Sequence, residues 1–228
     1  MSNPYFQFKQ FTVWHDKCAM KVGTDGVLLG AWTSVQGAHS ILDVGTGTGL
    51  VALMLAQRSL PNTNIVALEI DEAAAEQAKE NIVRSPWKKQ IEVVQTDFRK
   101  YQSPEKFDVI VSNPPYFVDS LGCPDQQRNS ARHNDSLTYE ELLEGVTGLL
   151  TENGTFTIVI PMDVADRVKM IASEKKLQAV RQLNVITKPG GIPKRTLITF
   201  SFSNQECIVE ELLTEVARHQ YSLSLIHI

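Results

Sequence analysis

Asn113-Pro114-Pro115-Tyr116 directly follows the apolar run Phe107-Asp108-Val109-Ile110-Val111-Ser112, which reads as a buried parallel strand opening into a pocket at its carboxyl end. Consecutive prolines fix φ at Pro114 and Pro115, remove both backbone donors and push Asn113 out of helical geometry. The turn therefore offers acceptors with no competing donors. A planar amine, such as the exocyclic amine of a nucleobase, can donate one hydrogen bond to the Asn113 side-chain oxygen and one to the Pro114 carbonyl. Tyr116 is then placed to stack on the ring. Asn113, Pro114, Pro115 and Tyr116 form the expected catalytic set, and the chemistry they favour is nucleophilic attack by a bound amine. A loop in which Pro-Pro merely ends a strand is the competing reading.

Upstream, Ile41-Leu42-Asp43-Val44-Gly45-Thr46-Gly47-Thr48-Gly49-Leu50 is an apolar strand entering a glycine-rich turn, followed by a helix-like stretch from Leu50 to Arg58. Glycines there let backbone approach a ligand closely, and the helix amino terminus offers unpaired donors. Asp43, Gly45, Gly47 and Gly49 are therefore expected to bind a cofactor. The spacing Gly-x-Gly-x-Gly differs from the Gly-x-Gly-x-x-Gly of dinucleotide enzymes, which disfavours nicotinamide. Glu69 closes the next strand, Asn64 to Ile70, 24 positions after Gly45, near the spacing at which a carboxylate takes ribose hydroxyls. An ordinary acidic residue at a strand end is its alternative. A third strand, Ile91 to Gln95, leads into Thr96-Asp97-Phe98, where Asp97 is expected to accept from an adenine amine and Phe98 to pack on the ring.

With these motifs in this order, the chain resembles the class I methyltransferases that use S-adenosyl-L-methionine, and Asn-Pro-Pro-Tyr is the signature of those that methylate an amino nitrogen. The segment from Phe8 to Val13 and from His15 to Trp32 is more specific, and it resembles the start of the bacterial tRNA1(Val) adenine-37 N6-methyltransferases. Further matches are Arg128-Asn129-Ser130-Ala131-Arg132-His133, Lys188-Pro189-Gly190 and Pro193-Lys194-Arg195, so the similarity spans roughly residues 5 to 203. The resemblance implies S-adenosyl-L-methionine as cofactor, no metal, and methylation of the adenine beside the anticodon of a valine tRNA. It also implies that Gly23-Thr24-Asp25-Gly26 closes over the cofactor, with Thr24 and Asp25 near the methionine end. Plain helix-entry chemistry is the other reading of that pair. After Tyr221-Ser222 the chain runs Leu223-Ser224-Leu225-Ile226-His227-Ile228, where the family has a Glu-Phe pair and an aromatic-rich finish.

The net charge of −4 is unusual for an RNA enzyme, because phosphate contacts are the main sequence-independent source of affinity. Distribution resolves the conflict. Acidic residues gather in Glu69 to Glu80, Glu140 to Glu144 and Glu206 to Glu215, all expected on outer helices, whereas basic residues gather in loops. Lys17 and Lys21 precede the glycine turn, Arg128, Arg132 and His133 follow the Asn-Pro-Pro-Tyr turn, and Lys188, Lys194 and Arg195 flank a Pro-Gly-rich connection. Lys21, Arg128, Arg132, His133, Lys188, Lys194 and Arg195 are expected to track the RNA phosphates, with ordinary solvated charge as the alternative.

A single methyltransferase domain over residues 1–228 accounts for the length, with about 1–38 as a segment closing over cofactor and substrate and about 221–228 as an atypical tail. The longest apolar runs fall well short of a membrane span and Met1-Ser2-Asn3-Pro4 is no secretory signal, so a cytoplasmic protein is expected; a monomer is favoured, with the oligomeric state left open by a single chain. Three scattered cysteines, Cys18, Cys123 and Cys207, have neither metal spacing nor a disulfide framework, and neither zinc nor a catalytic thiol is expected.

Strands are expected near 40 to 44, 64 to 70, 91 to 95, 107 to 112 and 155 to 161, alternating with helices. That alternation predicts an α/β, Rossmann-like fold with a seven-stranded, mostly parallel sheet, an antiparallel edge and helices on both faces. Thr138 with Glu141 predicts a capping box. Two rival functions remain at this level. A protein glutamine amide would fit the same planar site, and a noncatalytic RNA-binding protein could retain the pocket.

Overall fold

Residues 3–18, 20–115, 137–217 and 220–221 are described by the computed structural model. Tyr116, Arg128, Arg132, His133 and the run after Tyr221 lie outside them. A short antiparallel hairpin of β1 (Tyr5–Gln7) and β2 (Thr12–Trp14) opens the chain, and its turn is held by Phe8 stacked on Phe11 at 4.6 Å between centroids. Then come α1 (Thr24–Trp32), β3 (Ser40–Val44), α2 (Leu50–Arg58), β4 (Asn64–Glu69), α3 (Glu72–Val83), β5 (Ile91–Gln95) and β6 (Phe107–Ser112). The second half contributes α4 (Tyr139–Leu149), β7 (Leu150–Pro161), α5 (Ala165–Glu174), β8 (Gln178–Ile186), β9 (Arg195–Ser201) and β10 (Ile208–Leu213). A small pair, β11 (Glu215–Ala217) and β12 (Gln220–Tyr221), follows.

Eight strands form the central sheet in the order β10-β8-β9-β7-β6-β3-β4-β5. Only β9 runs antiparallel to its neighbours, between β7 and β8. The sheet is thus mostly parallel with an antiparallel side, as expected, but it has one strand more than the expected seven. The added strand is β10, in the acidic stretch expected to be an outer helix. It pairs parallel with β8, and Glu210 meets Arg181 across the ladder at 2.8 Å. Ile208 and Val209 are exposed while Leu212 is buried, so the stretch carries the pattern of a charged margin strand, which discourages pairing with other chains.

Side chains of β3 alternate across the sheet. Ile41 joins the core under α1, α2 and α3, whereas Leu42 and Val44 join the core under α4 and α5. The capping box of α4 is present: the Thr138 hydroxyl accepts from the Glu141 amide at 3.2 Å and Glu141 accepts from the Thr138 amide at 2.8 Å. Helices α1 and α2 touch closely because Gly30 has no side chain; a Cβ there would lie 2.8 Å from Met54 Cβ. This contact holds the last turn of α1 against α2, while Gly26 in the first turn packs close to Leu50 at the start of α2. Among the described residues no helix is long and apolar enough to cross a membrane.

From β3 the chain winds outward through β4 to β5, then returns to place β6 on the other flank of β3. In such sheets a crevice opens outside the carboxyl ends of the strands where the winding reverses. Val44 is the register partner of both Leu68 and Ser112, and Glu69 that of Gln95, so the loops after four strands emerge at one level. They are the loops that carry the glycines, Glu69, Asp97 and Asn113.

Candidate active-site cleft

The glycine turn needs glycine for its backbone: φ is +75° at Gly45, +55° at Gly47 and +80° at Gly49, a region that costs other residues strain. Amides of Gly45 and Thr46 donate to the Leu68 carbonyl at 3.0 and 2.8 Å, binding the turn to the end of β4. Asp43 lies beneath it. Its carboxylate accepts from the Thr46 hydroxyl at 2.6 Å and from the Ala52 amide at 3.2 Å, and the residue is 1% exposed. Burial pushes its pKa up to about 7, the Thr46 and Ala52 bonds opposing the shift and Glu69 adding to it. The structure thus makes Asp43 a support of the turn, outside the cleft lining where a cofactor-binding group was expected.

Glu69 ends β4 with its carboxylate held by backbone: Oε2 accepts from Gly47 at 2.8 Å, and Oε1 accepts from Ile70 at 2.9 Å and Asp71 at 3.0 Å. This fixes its rotamer at the cleft wall. Asp97 is differently placed. Both its oxygens are engaged by the Arg99 guanidinium at 2.8 to 3.0 Å, and that bond holds its carboxyl below the usual range. Arg99 also approaches Glu141 at 3.7 Å, so Asp97 belongs to an ion chain reaching α4. Phe98 is 7% exposed, and a Cβ on Gly145 of α4 would lie 2.5 Å from its ring. It forms part of the cleft wall and has little ring surface free to cover a ligand.

Asn113 leaves β6 half-buried into the cleft, followed by buried Pro114 and exposed Pro115. The Ser112 hydroxyl donates to the Val44 carbonyl at 2.9 Å, which locks the end of β6 to β3 and so fixes Asn113 beside the glycine turn. Gly26 of α1 faces Asn113; a Cβ there would be 3.8 Å from Asn113 Nδ2 and 3.1 Å from Leu50 Cδ2. Thr24 and Asp25 sit in the first turn of α1 and line the same cleft. Its volume is about 1020 Å³, room for a nucleoside-sized cofactor and a second planar group. Cys18 also lines it, with a thiol pushed up to about 11 by burial and by Glu69, Asp71 and Asp16, hence neutral at pH 7.

The basic residues separate by environment. Lys21 and Lys194 are exposed and line the cleft, and Lys188 is exposed on the same loop as Lys194 but outside the lining. Arg195 lines the cleft too, yet its Nε donates to Asp25 Oδ2 at 3.3 Å, so it ties two cleft walls together where a phosphate contact was expected. Lys17 is drawn away to α3 by Glu80 at 2.7 Å and Glu76 at 3.5 Å.

Several supports had no motif to announce them. Asn81 of α3, fully buried, donates to the carbonyls of Trp14 at 2.8 Å and Thr48 at 2.9 Å, and accepts from the Trp14 amide at 2.9 Å. One turn earlier, Gln77 accepts from the Lys17 amide at 3.0 Å. Together they clamp the N-terminal segment to the glycine turn. His15 accepts from the Val22 amide at its Nδ1 (3.4 Å) and bonds the Asn3 carbonyl through Nε2 (2.9 Å). The available signal was the i, i+4 pair of amides on a helix face otherwise built of Ala74, Ala78 and Ile82.

A family model described as the methyltransferase small domain matches residues 22–187. The chain is 82% identical over 222 residues to a tRNA1(Val) (adenine(37)-N6)-methyltransferase of Bacteroides thetaiotaomicron, covering 97% of this chain and 94% of the relative. Among solved structures, a predicted O-methyltransferase from Agrobacterium tumefaciens superposes with a TM-score of 0.68 at 16% identity, covering 89% of this chain and 94% of the other. A glycopeptide N-methyltransferase crystallised with S-adenosyl-L-methionine gives 0.58 at 12% identity, covering 79% and 93%. At those identities the structural likeness concerns the fold.

Proposed function

Because the chain belongs to the methyltransferase small domain family and, within it, to the tRNA1(Val) (adenine(37)-N6)-methyltransferases, we propose that its cleft holds a tRNA adenine amine on Asn113 and Pro114 beside the cofactor. The reaction is S-adenosyl-L-methionine-dependent N6-methylation of adenine 37 in tRNA1(Val). The observation that carries the residue assignment is the pairing of Val44 with Ser112, which sets the glycine turn and the Asn-Pro-Pro turn side by side at one end of the sheet.

The residues present fit the cofactor. The turn takes positive φ at its three glycines, Gly45 and Gly47 line the cleft without a side chain, and the fixed Glu69 carboxylate stands 2.8 Å from the Gly47 amide. Gly45 and Gly47, which line the cleft, are assigned to the close backbone approach, Glu69 to the ribose hydroxyls, and Thr24 and Asp25 to the methionine end; Gly49, expected with them, is outside the lining and faces Ala78 and Ile82 of α3. When bound, the cofactor supplies a sulfonium methyl that is already a strong electrophile. The chain has to strip water from the amine and align it, and positioning of this kind supplies as much as about 7–11 kcal/mol of barrier reduction. The adenine amine is a poor nucleophile because its lone pair is shared with the ring. Acceptors at the Asn113 side chain and the Pro114 carbonyl favour a pyramidal nitrogen with its lone pair free, and they stabilise the positive charge that develops there. The surplus proton then leaves to solvent, so no general base is assigned. Splaying adenine 37 from its stack costs a few kcal/mol, against which stacking on Tyr116 returns about 1–3 kcal/mol.

Exposed Lys21, Lys188 and Lys194 are assigned to phosphates around the cleft mouth, and tRNA is the partner of a cytoplasmic, monomeric, single-domain enzyme. The test is incubation with labelled S-adenosyl-L-methionine and unmodified tRNA, then nucleoside digestion and mass spectrometry. N6-methyladenosine that disappears with Asn113→Ala is the expected result; label in a protein glutamine instead would replace the RNA acceptor.

A further inference from the structure

The connection from β8 to β9 carries an apolar side chain that nothing in the fold needs. Thr187 at one end of this loop and Lys194 and Arg195 at the other line the cleft. Between them, the Gly191 amide donates to the Lys188 carbonyl at 3.0 Å around Pro189 and Gly190, and Gly190 has φ +72°. Proline second and a positive-φ glycine third are the signature of a type II turn, a stiff base. Lys194 is pinned on both sides, its amide to Val185 at 3.3 Å and its carbonyl to Met162 at 3.1 Å. Ile192, held between that turn and Pro193, is 78% exposed, more than any other large hydrophobic residue among those described. A residue before proline is confined to extended backbone, and a β-branched side chain is stiff at χ1, so Ile192 is presented in few conformations.

A lone exposed isoleucine is unremarkable on most surfaces. Here it stands between Lys188 and Lys194, both exposed and neither in an ion pair among the described residues, at the mouth of a cleft assigned to a nucleobase. Cations on either side of an apolar tip match a nucleic acid strand, whose phosphates flank the faces of its bases. We propose that Ile192 is a wedge that enters the anticodon-loop stack where adenine 37 leaves it, Lys188 and Lys194 holding the adjoining phosphates. Apolar wedges of this kind stabilise unstacked steps by replacing the lost base contact. The proposal rests on the tRNA reading above.

The test uses an anticodon stem-loop carrying 2-aminopurine at the target position, whose fluorescence rises on unstacking, beside the natural stem-loop for methyl transfer. Wild-type protein with cofactor should give the rise. Ile192→Ala should bind cofactor as tightly as wild type, lose most of the rise and methylate the stem-loop about ten- to a hundredfold more slowly, while Ile192→Leu restores both. An Ile192→Ala protein with undiminished rise and rate would overturn the wedge while leaving the tRNA reading intact. Wild-type protein that forms no N6-methyladenosine in the stem-loop would instead remove the tRNA reading, and the wedge with it. Loss by Ile192→Ala on a protein amide acceptor alone would assign the tip to a peptide.

Discussion

Arg195 Nε meets Asp25 Oδ2 at 3.3 Å, joining the start of β9 to the first turn of α1 across 170 positions of sequence. Both side chains are mostly shielded, 33% and 26% exposed, and both line the cleft. The contact holds the α1 turn, with Thr24 and Asp25, against the sheet end from which Asn113 emerges. A cation one position earlier, Lys194, has no such partner among the described residues.

These neighbours should therefore separate in solution. Arg195→Ala is expected to weaken cofactor binding about three- to tenfold, the scale of one partly shielded ion pair, with the salt dependence of tRNA binding unchanged. Lys194→Ala should leave cofactor affinity alone and lower the slope of log K against log salt by about one. Calorimetry with cofactor and tRNA titrations at several salt concentrations check the pair; equal salt slopes in both variants would remove Lys194 from the phosphate track.

Asn113→Ala should reduce kcat by about a hundred- to a thousandfold, the usual effect of deleting one group that stabilises developing charge. Cofactor affinity should stay within about twofold, because the glycine turn and Glu69 do not depend on Asn113. Single-turnover methylation and equilibrium cofactor binding, measured together, separate this from a folding defect.

Asn81→Ala removes three hydrogen bonds from a fully buried position and leaves the Trp14 amide and carbonyl and the Thr48 carbonyl without partners. A loss of about 2–4 kcal/mol follows from such orphaned groups, read as a Tm fall of about 2–4 °C per kcal/mol for a chain of this size. Because Thr48 belongs to the glycine turn, bound cofactor should recover part of the loss. Scanning calorimetry with and without cofactor is the check.

Asp43 sets a pH dependence. Its pKa rises from 3.8 to about 7 in the fold, chiefly through burial. Between those values the folded chain binds more protons than the unfolded chain, so this group makes stability fall as pH rises and contributes no slope above about 7. Asp43→Asn keeps acceptors for Thr46 and Ala52 but cannot ionise. Its stability relative to wild type should climb from about pH 4 to about pH 7 and then level, as read by urea unfolding across that range. A constant difference would mean that Asp43 is ionised throughout.

Much of the site was legible because the relevant chemistry is local. Glycines at 45, 47 and 49 declare a turn that other residues resist, and Pro114-Pro115 declares acceptors without donors, whatever the rest of the chain does. The alternation in Ile41-Leu42-Asp43-Val44 likewise places Asp43 on the α2 face. What stayed hidden was long-range. Asn81 meets Trp14 across 67 positions, and spacing carries no trace of such a bond. Arg195 read as a surface cation because its carboxylate partner lies far upstream, whereas the Asp97–Arg99 pair is only two positions apart and belonged to the local chemistry that a sequence can carry. The glutamates of β10 suggested a helix surface, since a margin strand in water is as polar on its open side as an outer helix.

β9 is the one strand of the sheet that runs backwards. A parallel β9 would require a crossover to return to its far end, and the loop after β8 would be drawn off along the strand, roughly 20 Å for 7 residues. Reversal lets the chain turn straight back, so the loop stays at the chemical end of the molecule while the β3–β5 half that forms the glycine turn and Glu69 is untouched. Lengthening or re-spelling that loop should therefore alter what is recognised without disturbing what is transferred.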